Sequence, residues 1–314
     1  MEDLNRTCTY SLDADAQMKL CSTKVCRNPL PSAALSTHPT GMKNTVLLLT
    51  VLVAAGLLGC STGASDESSE TPFSLPALET HADSLAMMAY DAAGGPEAFA
   101  AIKGLRFDFG VERMGTRVRR NSHLWDRTTG DYRLEYMQGE DSSYVVLFNI
   151  NSQEGQVYLN GTQVADSTDH ANRLSRAYRS FVNDTYWLLA PVKMLDPGVT
   201  RTYEADSSDA NIQVVKLTFE GVGLTPGDQY WMYLNADNGQ LVRWAFVLQG
   251  NLDAPARAFN WMDYDEYETP AGPVTLSARK NIAGQPASLL TDAIQVYSAV
   301  PEWLMSDPTA RLVP

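Results

Sequence analysis

Gly104-Leu-Arg-Phe-Asp-Phe-Gly-Val-Glu112 reads with a period of two: Leu105, Phe107, Phe109 and Val111 alternate with Arg106, Asp108, Gly110 and Glu112. Successive strand side chains point to opposite faces, so this stretch predicts a strand with one buried face. Residues 118–125, 131–137 and 144–150 continue in kind. Gln156-Val-Tyr-Leu-Asn160-Gly161-Thr-Gln-Val164 predicts a hairpin, because Asn-Gly suits the two positive-φ positions of a type I′ turn. Strands resume at 201–205, 212–220, 229–235, 241–249, 259–267, 274–280 and 294–299, with Asp237-Asn238-Gly239 as another hairpin turn.

Helical spacing appears in two places only. Residues 79–92 put Leu85, Met88 and Ala89 on one face; Gly94-Gly95-Pro96 breaks that helix, and Pro96 opens a short second one through residue 102. Inside the strand series, Leu174, Tyr178, Phe181, Val182 and Thr185 recur at helical intervals. Asp169 is placed to cap that long helix, Arg173, Arg176 and Arg179 lie elsewhere on its surface, and it is expected to end near Ala190-Pro191. Crossover helices between successive strands are absent, which excludes a doubly wound fold. The pattern predicts an α+β domain: a large, curved antiparallel sheet, an unclosed half-barrel. Its concave face would be covered by an N-terminal helical segment and one inserted helix.

Upstream stands Met42-Lys-Asn-Thr-Val-Leu-Leu-Leu-Thr-Val-Leu-Val-Ala-Ala-Gly-Leu-Leu-Gly-Cys60. Its uncharged run is about 21 Å long as a helix, short of the ~30 Å hydrocarbon core, which suits a secretory signal better than a membrane span. The ending Leu57-Leu58-Gly59-Cys60 resembles the lipobox of bacterial lipoproteins. The resemblance implies cleavage before Cys60 and acyl chains on it, the alternative being a plain N-terminal anchor. Residues 1–41 are then an extension from a start assigned too early, 42–59 the signal, 60–78 a lipidated Cys with an acidic tether, and 79–314 one domain. The four cysteines are Cys8, Cys21, Cys26 and Cys60, so the chain after Cys60 must stand without disulfides. Ser61, where enterobacterial lipoproteins kept at the inner membrane tend to carry Asp, favours the periplasmic face of the outer membrane.

The order of elements over 79–299 looks like that of the LolA/LolB-like lipoprotein-carrier superfamily, and Asn183-Asp-Thr-Tyr-Trp-Leu-Leu-Ala-Pro-Val-Lys-Met-Leu-Asp-Pro-Gly-Val199 is similar to uncharacterised envelope lipoproteins grouped with it. The resemblance implies helices acting as a lid over an apolar cavity. It transfers no individual residue.

Chemistry-bearing motifs are scarce. Within residues 79–314 there is no G-x-S-x-G elbow, P-loop, H-E-x-x-H or G-x-G-x-x-G. His81, His123 and His170 sit in unrelated contexts and read as surface or capping residues, so no metal and no cofactor is expected. Asp263, Asp265, Glu266 and Glu268 beside Trp261, Tyr264 and Tyr267 offer a glycosidase-like grouping, against a solvated strand end as the simpler account. After Cys60 there are 33 acidic and 19 basic residues, a balance that argues against nucleic acid and against anionic lipid headgroups. Membrane attachment would therefore come through acyl chains on Cys60.

Aromatic residues remain. Phe107, Phe109, Trp125, Tyr136, Phe181, Tyr186, Trp187, Trp231 and Trp244 are the expected lining of a site for a hydrophobic or lipidated ligand, with Tyr233 and Phe246 as further candidates. The expected function is non-catalytic binding at the envelope. The alternatives are a structural lipoprotein docking on another envelope protein, and a glycan hydrolase.

Overall fold

A computed structural model describes residues 75–312. Cys60, the lipobox, the signal and the extension before it lie outside the described residues.

The first helix, α1 (His81–Ala92), starts on a capping box: Thr80 Oγ1 accepts from Asp83 N at 3.1 Å, and Thr80 N donates to Asp83 Oδ2 at 3.0 Å. Gly94 (φ 121°) turns the chain into α2 (Gly95–Ala101). A Cβ on Gly94 would stand 2.6 Å from Pro273 O, so only glycine lets this turn lie against the sheet. The folded body also begins earlier than residue 79, because Leu75 packs against the core.

Six strands follow as a meander: β1 (Gly104–Arg113), β2 (Thr116–Asp126), β3 (Asp131–Gln138), β4 (Ser142–Asn149), β5 (Gly155–Leu159) and the two-residue β6 (Thr162–Gln163). Asn160 (φ 49°) and Gly161 (φ 80°) form the expected turn. After the long helix α3 (Ser167–Lys193) comes a second meander of seven: β7 (Val199–Tyr203), β8 (Ile212–Phe219), β9 (Gln229–Asn235), β10 (Leu241–Val247), β11 (Arg257–Tyr267), β12 (Val274–Ile282) and β13 (Ala287–Tyr297). A last turn of helix, α4 (Glu302–Ser306), follows. The strands form one antiparallel sheet in the order β6-β5-β4-β3-β2-β1-β13-β12-β11-β10-β9-β8-β7. First and last strands pair in the middle, and β6 and β7 are the free edges. The α+β half-barrel read from the sequence is the observed fold.

α3 runs from one edge to the other. Its 27 residues span about 40 Å, enough to cross the concave face. Its N-terminal half puts Leu174, Ala177, Tyr178 and Phe181 on a cluster with Tyr132, Tyr136, Tyr144 and Phe148. Its C-terminal half puts Trp187, Leu188, Leu189 and Ala190 into the main cluster, which α1 and α2 also cover. Arg201 of β7 secures that end: it donates to Asp83 Oδ1 of α1 at 2.5 Å and to Met194 O at 2.9 Å.

Three boundaries differ from expectation by three residues or more, and one further helix appears. Asp166, not Asp169, caps α3, accepting from Asp169 N at 2.7 Å, because the chain is still extended at Asp166 (ψ 119°) and helical from Ser167. α3 continues past Pro191 to Lys193, only half a turn beyond the missing N–H. β13 starts seven residues early. A bulge at Ala293 (φ 51°) shifts its pairing with β1 between Arg106 and Asp108, and this breaks the alternation that would have revealed it. α4 carries too short a pattern to be read.

Candidate functional site

Alternation along the strands sends Phe107, Phe109, Tyr132, Tyr136, Trp244, Phe246, Phe259 and Trp261 to the concave face, where α3 lays Phe181, Tyr186 and Trp187 against them. Trp187 and Trp244 have ring centroids 4.0 Å apart, Trp187 and Phe259 4.9 Å, Tyr186 and Trp244 5.4 Å, and Tyr186 and Tyr230 5.5 Å. Trp244 and Trp261 stand 6.4 Å apart. At the other end, Phe181 meets Tyr132 at 5.0 Å and Trp125 at 5.3 Å. These separations are those of offset and edge-on aromatic contacts. The result is an aromatic layer in two clusters, with Trp125 packed against both.

Eight of the nine aromatic residues read from the sequence belong to it. Trp231 does not. It is paired with Ala245 while its neighbour Met232 faces Trp244, so Trp231 lies on the opposite face, with Lys216 Nζ 5.1 Å from its ring. Tyr233 goes with it, under Arg243. A strand places residues two apart together, and Tyr230, Met232 and Leu234 take the concave positions.

The polar tips of this layer are unusual. Trp125 Nε1, Tyr186 Oη, Trp244 Nε1 and Trp261 Nε1 are buried, and no acceptor among the described residues reaches them. Burial drives the Tyr186 hydroxyl well above the ordinary phenol pKa, with Tyr230 and Asp196 adding to it.

Between the two apolar halves lies a polar tier. His123 is 0 % exposed and stacks on Phe107 at 4.5 Å. Its Nδ1 is 2.8 Å from Tyr132 Oη, and its Nε2 is 3.1 Å from Asp184 Oδ2 of α3, an ion-pair separation but off the line of a hydrogen bond. Asn121 Nδ2 donates to Asp184 Oδ2 at 2.9 Å and Asn183 Nδ2 to Asp184 Oδ1 at 2.8 Å. Burial, then the Asp184 charge, push the Tyr132 phenol pKa well up. His123 is thus neither a surface nor a capping residue. The readable signal was Asp184 itself, which falls on the buried stripe of α3 with Ala177, Ser180 and Leu188. His123, Tyr132, Asn121 and Asp184 are all buried, so the tier ties helix to sheet.

The remaining candidates separate. Arg173 and Arg176 do not simply face solvent; their guanidinium carbons sit 4.1 Å over Tyr144 and 4.2 Å over Tyr136, whose rings stack at 5.2 Å. Asp263, Asp265, Glu266 and Glu268 are exposed at a strand end, with Asp263 3.2 Å from Arg279. No group of three or more potential ligands close enough for a metal occurs among the described residues. Two hollows of about 370 Å³ stand out, and neither lies between α3 and the sheet. One is on the outer face, lined by Arg106, Asp108, Arg117, Arg120 and Asp292; the other is at the tips of the β1–β2 and β12–β13 hairpins.

No family model matches the chain, and no curated protein matches it. Among solved structures, it is similar to a LolA superfamily protein from Nitrosomonas europaea, at 10% identity over 73% of this chain and 98% of that one, with a TM-score of 0.39. A DUF1329 family protein from Desulfovibrio piger gives 11% identity over 69% and 95%, with a TM-score of 0.38. MucB gives 12% over 72% and 62%, with a TM-score of 0.24. At such identities and superpositions, function has to be read from the site.

Proposed function

We propose that this is a non-catalytic binding protein of the cell envelope, tethered through acyl chains on Cys60, whose concave aromatic layer receives a hydrophobic or lipidated ligand when α3 lifts. The observation that carries it is the set of buried aromatic donors without acceptors: Trp125, Tyr186, Trp244 and Trp261. Each unpartnered buried donor costs about 1–3 kcal/mol, which Phe or Leu at the same place would avoid. Such tips make sense where an acceptor oxygen arrives from outside the chain. The buried apolar area then holds the remainder of the ligand, at about 25 cal/mol per Å² before ordering costs.

Native mass spectrometry and organic extraction of the full chain purified from envelopes test this reading. A co-purifying apolar molecule supports it. A protein that emerges empty, and takes up no anilinonaphthalene sulfonate or fatty acid afterwards, sinks it. Among the described residues no helix is long and apolar enough to cross a membrane, so the tether is tested separately. Cys60→Ser should leave the membrane fraction, and a variant that stays there refutes lipid attachment.

A second reading has its own support. With the interior filled, the protein would serve as a docking lipoprotein, and the β1–β2 hairpin exposes Met114 (78 %) and Val118 (56 %) among arginines. Pull-down from envelope extracts with native chain and a Met114→Ser, Val118→Ser variant distinguishes the two readings. A partner lost in the variant would favour docking.

A further inference from the structure

Strand β12 places Val274, Leu276 and Ile282 against the main apolar cluster, and Lys280 shares their alternation. Lys280 is 0 % exposed. Its Nζ donates to Ser277 O at 2.7 Å and to Thr291 Oγ1, and stands 4.5 Å from the Trp261 ring centroid. Thr291 Oγ1 in turn donates to the same Ser277 carbonyl at 2.7 Å. An ammonium has three N–H donors, and these contacts use two. Among the described residues, no carboxylate comes within ion-pair distance of it. Asp292, on the neighbouring strand, acts on it only at a distance and is itself engaged by Arg117. Burial consequently pushes the Lys280 ammonium well below the ordinary lysine range.

A buried cation normally has a partner charge. Lys280 instead has two neutral acceptors, and one of its N–H donors is left over. Trp261 Nε1 has no acceptor, nor has Trp244 Nε1 in the next ring, nor Tyr186 Oη beyond that. Two unpaired indole donors and an unpaired hydroxyl thus succeed Lys280 ring by ring along the aromatic layer, and the negative charges that reach its two ends, Asp292 and Asp196, act only from a distance. A plain hydrocarbon would leave them all unpaired. An oxyanion would satisfy several at once, by charge-assisted hydrogen bonds.

We infer that the ligand of the proposed site is a single-chain amphiphile ending in an anionic oxygen group, a carboxylate or a phosphate, seated on Lys280 with the Trp261 and Trp244 indoles donating beside it. This rests on the ligand-binding reading above and adds the chemistry of the ligand's polar end. The sequence signal is one lysine on the apolar alternation of β12.

The test measures binding of hexadecanoic acid, its methyl ester and hexadecyl phosphate to the full chain, read by tryptophan fluorescence. The expected result is that the native chain binds the acid, the phosphate or both at least about tenfold more tightly than the ester, the scale of one charge-assisted hydrogen bond. Which of the two is tighter identifies the head group. Lys280→Met, which keeps the length of the side chain and removes the charge, should bring acid, phosphate and ester to equal affinity. Trp261→Phe should shrink the ratio while retaining ester binding. Ester binding in each variant reports that the layer is still folded. Equal affinity for all three ligands in the native chain overturns the inference and leaves the ligand-binding reading standing. A preference that survives in Lys280→Met also overturns it, by locating the head group elsewhere. Failure of all three ligands to bind removes the ligand-binding reading, and this inference with it.

Discussion

His123 Nε2 of strand β2 lies 3.1 Å from Asp184 Oδ2 of helix α3, and this contact fastens the middle of the helix to the sheet between two apolar clusters. Asp184 also accepts from Asn121 and Asn183. Asp184→Ala strands the imidazole and the Asn121 amide in a dry interior, and should cost about 3–5 kcal/mol in urea unfolding. Asp184→Asn keeps the shape but turns an amide toward Asn121 or Asn183, for about 1–3 kcal/mol. Losses below about 0.5 kcal/mol, the range of ordinary surface changes, would show that the tier does not anchor α3.

Stability should fall steeply at alkaline pH. Burial raises the phenol pKa of Tyr132, Tyr186, Tyr230 and Tyr264, in the first three with nearby negative or tyrosyl groups adding to it. A raised folded pKa means that the native state keeps protons the unfolded chain has released. The contribution is therefore intact below the unfolded value near 10 and is lost as pH rises above it. Lys280 works in the opposite sense: its folded pKa is lowered, so the unfolded chain binds the extra proton and stability rises with pH up to about 10.4. Urea midpoints across this range should climb and then drop, and Lys280→Met should flatten the climb without moving the drop. Tyr132→Phe should cost about 1 kcal/mol, since Oη is bonded to His123, whereas Tyr186→Phe should stabilise by about 1–3 kcal/mol, since its buried Oη has no partner.

The C-terminal segment is held on the outer face by side chains of the sheet, Arg133 above all. Arg133 is 0 % exposed; it donates to Leu304 O at 2.9 Å, Asp307 O at 2.7 Å and Ala310 O at 2.6 Å, and pairs with Glu135 at 2.7 Å. Glu135 then accepts from Leu312 N at 3.1 Å. Arg133→Met should free several carbonyls at once, so hydrogen exchange over residues 302–312 should accelerate by more than about tenfold while β8–β12 stay protected. Uniform acceleration throughout would mean that Arg133 supports the whole sheet rather than this strap.

These examples show what local pattern carries and what it does not. The strand at Leu105–Val111 and the Asn160-Gly161 turn are consequences of backbone geometry within a few residues, and both are where the sequence places them, but β1 is buried on both faces rather than one, because Arg106 and Asp108 pair with each other under the C-terminal segment. Strand parity also determines the concave face, and Trp231 falls outside it because the β9–β10 register sets Met232, not Trp231, opposite Trp244. The polar tier could not be read in this way. His123, Tyr132 and Asp184 come from three elements, and their meeting depends on how far α3 slides across the sheet. Arg133 and the segment it holds are likewise 171 residues apart at their closest contact. Lys280 needed only alternation, but buried cations are rare enough that the pattern reads first as an edge or a solvated face.

The turn read as Asp237-Asn238-Gly239 offers a last test, because it does more than reverse the chain. Gly239 has φ 75°, and a Cβ there would stand 2.4 Å from Met88 O of α1, backbone that cannot swing aside. The β9–β10 turn is thus a seat for the first helix. Gly115, at the β1–β2 turn, has φ 77° and nothing within 4 Å of a Cβ. Both positions penalise alanine through backbone strain of about 1–2 kcal/mol. Only Gly239→Ala adds a clash, so it should lose at least about 1 kcal/mol more than Gly115→Ala in urea unfolding, with exchange in α1 rising first. Equal losses in the two variants would show that α1 accommodates the methyl group by shifting, and that the seat is not tight.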